Sequence, residues 1–84
     1  MAEEQVAVVV KFFAKPSVAA LQILGGIKTG DTLRFHGHTT DFTQKVTSME
    51  VDNKPVEEAK AGDLVGIKTT DRVREHDKVY RVEE

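Results

Sequence analysis

An all-β fold is predicted by three features of the sequence. Turn signals recur every 8–14 residues, a spacing typical of sandwiches and barrels. The stretches between them are short and rich in valine, isoleucine and phenylalanine, residues that suit a pleated, half-buried surface. No apolar 3.6-residue period runs long enough to pack a helix. The 84 residues are the length of one domain, so 1–84 is read as a single unit with a small core.

The first strand is Val6–Phe13, broken by Pro16 and Ser17. Lys11 belongs in water, so alternation places Val6, Val8, Val10 and Phe12 toward the core and Val9 and Phe13 outside. Val18–Leu24 follows, and Gly25-Gly26 ends it. Thr32–His36 comes next, with Leu33 and Phe35 alternating with Arg34 and His36. Beyond the polar loop 37–41 lies Phe42–Val51. Val46 and Met49 are three apart, so either a bulge separates them or one leaves the core. Val56–Lys60 carries helix signals, Pro55 ahead and Gly62 behind, enough for roughly one or two turns. Leu64–Lys68 and Lys78–Val82 complete the strands. The expected core is Val8, Val10, Phe12, Leu21, Ile23, Leu33, Phe35, Val46, Val65 and Ile67.

One local pattern recurs. Lys28-Thr29-Gly30-Asp31 precedes an alternating strand, and Lys60-Ala61-Gly62-Asp63 repeats the arrangement. Arg74-Glu75-His76-Asp77 is a third copy with histidine at the glycine position. Each predicts a tight turn with positive φ at its third residue.

Composition excludes several classes of function. Cysteine is absent, so disulfides and thiolate metal sites are out, and a cytoplasmic location is expected. The first ten residues begin acidic and lack a basic stretch before an apolar run, unlike a secretory signal. No apolar stretch reaches the roughly 20 residues of a membrane helix. Net charge is −2 with no strongly basic block, so duplex DNA is not an expected partner.

The chemical motifs are weak. Gly25 to Thr32 approaches a phosphate loop, but Asp31 stands where lysine should attract phosphate, and no helix follows. No nucleotide is therefore expected, and the segment reads as strand–turn–strand. His36-Gly37-His38 offers two imidazoles with Asp41 nearby, short of the three or four ligands a metal needs. Glu57-Glu58 reads as solvated carboxylates. Ser17 and Ser48 lie in no nucleophile elbow. No enzyme activity and no cofactor are expected. Arg72 and Arg74 project the same way from an extended segment, as a fork for phosphate or carboxylate.

The turns and the strand order, Ala59-Lys60-Ala61-Gly62-Asp63-Leu64-Val65-Gly66-Ile67 above all, resemble the second domain of translation elongation GTPases such as elongation factor Tu. Small stand-alone translation elongation factor-like proteins are similar as well. The resemblance covers about Val6 to Val82 and implies a closed or nearly closed antiparallel β-barrel of six or seven strands. It also implies a translation-associated adaptor that contacts tRNA, ribosome or a translation factor. A similar barrel is appended to the C-terminus of a peptidase-like family implicated in RNA modification, which implies the alternative of a protein-interaction or detached accessory domain for a separately encoded enzyme. The expected partner surface is Val9, Lys11, Phe13 and Lys15 on the first strand and its turn, with Arg72 and Arg74.

Overall fold

A computed structural model describes residues 2–52 and 54–83. Its strands run in the order β1 (Ala2–Phe13), β2 (Val18–Ile23), β3 (Ile27–Lys28), β4 (Thr32–His36), β5 (Asp41–Lys45), β6 (Met49–Val51), β7 (Lys54–Val56), β8 (Glu58–Ala59), β9 (Leu64–Lys68) and β10 (Lys78–Glu83). Eight form one antiparallel sheet ordered β5-β4-β10-β1-β2-β9-β6-β7, and β3 pairs with β8. Among the described residues no helix is long and apolar enough to cross a membrane.

The order forces the sheet to curl. Six strand spacings separate β5 from β6, about 29 Å if the sheet were flat. Residues 46–48 alone connect them and reach roughly 14 Å at most. The sheet therefore bends its two ends toward each other. Among the described residues no ladder joins β5 to β6 or β7, so the sheet stays open and the expected barrel closure does not form. A side chain spans the seam instead. The Gln44 amide donates to the Lys68 carbonyl at 2.9 Å and accepts from the Thr70 N–H at 2.8 Å.

Two other expectations are overturned. The strand Phe42–Val51 is really β5 and β6, broken at 46–48. Val46 and Met49 are both buried because the chain turns a corner between them, so neither the bulge nor the departure from the core occurs. The helix at Val56–Lys60 is absent. Val56 ends β7, whose Pro55 is tolerated because β7 is the sheet edge, and Ala59 pairs with Ile27.

The core faces of β2, β4 and β9 follow the alternation: Leu21, Ile23, Leu33, Phe35, Val65 and Ile67 are buried. Phe42 stacks on Phe35 with centroids 4.9 Å apart. The phase of β1 differs from the simple reading. Its register shifts between Gln5 and Ala7 against β10, and between Val9 and Lys11 against β2. Each bulge adds a residue and reverses the inward set. The core side is therefore Val6, Ala7 and Val9, with Phe12 packed partly against it. Val9 faces the core, not the solvent, and Val10 is 44% exposed rather than buried. Val8 is only half-buried.

The three turns repeat one construction. Asp31, Asp63 and Asp77 each donate a backbone N–H to the carbonyl three residues back, at 3.1, 3.0 and 3.2 Å. Each also accepts that residue's N–H on a side-chain oxygen, at 3.0, 2.9 and 2.9 Å. Gly30, Gly62 and His76 have φ of 96°, 95° and 74°, as expected. With no positive φ at the residue before, these are type II turns.

Candidate functional site

The curled sheet has two unlike outer faces. On β4, β5 and β10 the outward residues are polar: Arg34, His36, Asp41, Thr43, Lys45, Lys78 and Tyr80. An ionic belt crosses this half. The Arg34 guanidinium reaches Asp41 at 2.9 Å and Glu3 at 3.2 Å. Its hydrogen bonds hold the Asp41 carboxyl below the usual carboxylate range, and Asp41 and then Glu3 hold Arg34 charged.

On β2, β9 and the end of β1 the outward face carries apolar side chains among Lys11, Gln22 and Lys68. The register sets Phe13 beside Val18, Ala20 beside Gly66, and Gln22 beside Leu64. Among the described residues the exposed large hydrophobics are Val10, Phe13, Leu24 and Leu64, at 44%, 44%, 49% and 56%. All four belong to these strands or the residue directly after β2. Phe13, Pro16, Val18, Ala20, Leu64 and Gly66 line a groove of about 460 Å³ together with Glu50 and Asp52. Lys11 holds its ammonium 5.2 Å from the Phe13 ring centroid, at cation–π distance.

The expected partner residues do not form one surface. Phe13 and Lys11 meet at the apolar face, and Lys15 is exposed in the turn after β1. Val9 lies in the core and leaves the set. Arg72 and Arg74 come together on either side of buried Val73 and line a separate cleft of about 280 Å³ with Asp41 and Asp71. The Arg74 Nε donates to Thr39 Oγ1 at 3.0 Å. Leu64 and Leu24 were missed, although the inward alternation of Val65 and Ile67 already turns Leu64 outward. Among the described residues no group of three or more histidines, aspartates or glutamates is placed to hold a metal.

Comparison with known proteins corrects the expected family. No protein-family model matches the chain. An uncharacterized protease of Methanocaldococcus jannaschii is 43% identical over 77 residues, 90% of this chain and 19% of the relative. A collagenase of Porphyromonas gingivalis is 34% identical over 74 residues, 86% of this chain and 20% of the relative. The chain thus spans about a fifth of the length of these curated relatives. The C-terminal domain of a putative U32 peptidase of Geobacillus thermoleovorans superposes with a TM-score of 0.90 at 17% identity, covering 95% of this chain and 93% of that one. The chain therefore shares the fold of that domain. The elongation-factor resemblance is overturned, and the RNA-binding reading that came with it falls too. The Gly-Asp turns and alternating strands that suggested it fix turn geometry and core, which unrelated β-domains share.

Proposed function

We propose that this chain is a non-catalytic accessory β-domain of the U32 peptidase type. It packs through the outer face of β1, β2 and β9 against the catalytic body of such an enzyme. The observation that carries this reading is the segregation of exposed apolar side chains. Antiparallel sheets that face water on one side alternate apolar-in with polar-out, as β4 and β5 do here. The other half breaks that rule with exposed Val10, Phe13, Leu24 and Leu64, and Phe13 and Leu64 share one groove with Pro16, Val18 and Ala20, an apolar surface of the kind that marks an interaction site. The similarity to longer proteases and to a peptidase C-terminal domain supports the kind of partner. The curled sheet serves as a rigid, barrel-like scaffold for the patch, and cytoplasmic residence goes with a cysteine-free chain.

Calorimetric titration of the chain into a U32-type catalytic body lacking its own C-terminal domain tests this. Saturable binding that changes little between about 50 and 500 mM salt is expected of an apolar contact. Phe13→Glu combined with Leu64→Glu should abolish it, while Lys45→Glu on the polar half should not. Absence of binding by the folded wild type, or full affinity in the folded double variant, defeats the proposal.

A further inference from the structure

The groove on the outer face has a low floor between two apolar walls. The ladders set Lys11, Ala20, Gly66 and Glu50 side by side across β1, β2, β9 and β6. The middle two positions carry a methyl group and a hydrogen atom. Phe13 and Val18 rise on one side of them and Leu64 on the other. The backbone does not call for glycine at 66. Its φ is not in the left-handed region, and its ladders with β2 and β6 run without a register shift, so no bulge accounts for it. A Cβ added there would meet the Val18 methyl at 3.4 Å, an ordinary van der Waals distance. A glycine in mid-strand weakens the strand, and one use for it is to let another group approach closely.

The charged lining has one sign. Glu50 and Asp52 line the groove, and among the described residues no lysine or arginine does. Both carboxylates are exposed, and among the described residues neither is held in an ion pair. Lys11 keeps its ammonium 5.2 Å from the Phe13 ring centroid, and Lys68 neighbours Val18 in the ladder. We propose that the groove takes a single bulky apolar side chain of leucine, methionine or phenylalanine type from the peptidase body, and that a lysine or arginine beside it on the same segment meets Glu50 and Asp52. This rests on the reading that the apolar face docks on such a body. An anchor that fills a pocket supplies most of the affinity. The exposed carboxylates add little attraction of their own, but they select against an acidic neighbour and fix the orientation of the anchor.

The test is calorimetric titration of variants of the 84-residue chain into the same catalytic body lacking its own C-terminal domain. Gly66→Val and Ala20→Leu each raise the floor while adding apolar area. Both should fold, melt no lower than wild type, and bind about tenfold or more weakly. Glu50→Lys is combined with Asp52→Asn, since asparagine tolerates the φ of 53° at that position. This pair should bind about tenfold more weakly at about 50 mM salt and come within about threefold of wild type at about 500 mM. Two results would overturn the anchor alone and leave docking through the face intact: undiminished affinity in the folded floor variants while Phe13→Glu with Leu64→Glu still abolishes binding, or an unchanged affinity of the charge variant at low salt. Sedimentation of the free chain identifies the other occupant. A dimer that Gly66→Val dissociates would mean that the groove holds a second copy of the chain, and would overturn the proposal. Absence of binding by folded wild type overturns the anchor and the docking reading together.

Discussion

At the scale of single residues, the aspartates of the three turns do structural work that sequence alone showed only as a repeat. Each closes a turn twice, through its own N–H and through its carboxylate. The position before it then needs positive φ, which glycine adopts without a steric cost. No other side chain comes within 4 Å of a Cβ built on Gly62, so Gly62→Ala isolates the backbone effect. It should lose about 1 kcal/mol in urea denaturation. A neutral substitution would show that the turn relaxes away from φ 95°. The turn positions, including positive φ at His76, were legible because the cause is local. What His76 faces was not, because His36 and His38 lie about forty residues away in the chain and reach it through long-range contacts, the β4–β10 ladder first among them.

At the scale of elements, alternation recovered the strands that are regular and failed on those that are not. Thr32–His36 and Leu64–Lys68 came out with their bounds and faces intact. The first strand failed because two bulges reverse its phase, and a run of four valines and an alanine gives period-2 reading nothing to lock onto. The two-residue strands β3 and β8 carry no periodic signal, and the Pro55–Gly62 interval imitates a capped helix. The bulge assignment makes a direct prediction for neighbouring valines. Val9→Ala removes a side chain that is 1% exposed and should cost about 2 kcal/mol. Val10→Ala removes one that is 44% exposed and should stay within about 0.5 kcal/mol. The reverse order in chemical denaturation would restore the simple alternating phase.

At the scale of the whole molecule, the curl of the sheet turns one half of its outer surface into a charged, hydrogen-bonded wall and the other into an apolar one. Part of that division was readable: Phe13 was placed outside, and the register confirms it beside Val18. Ala20 joins it through the β1–β2 hairpin, whereas Leu64 reaches it only through long-range pairing of β2 with β9. The central claim is that this apolar half is covered when the domain meets a peptidase body. Because the chain has no cysteine, a single introduced thiol reports one position cleanly. Leu64→Cys would mark the apolar half and Thr43→Cys the polar half, and the rate of thiol alkylation at each would be measured with and without a U32-type catalytic body. Burial of the apolar face predicts that modification at position 64 slows by about tenfold or more, as expected of a group desolvated at an interface core, while position 43 is unaffected. Equal rates at position 64 with and without a saturating catalytic body, or protection at position 43 instead, would contradict it.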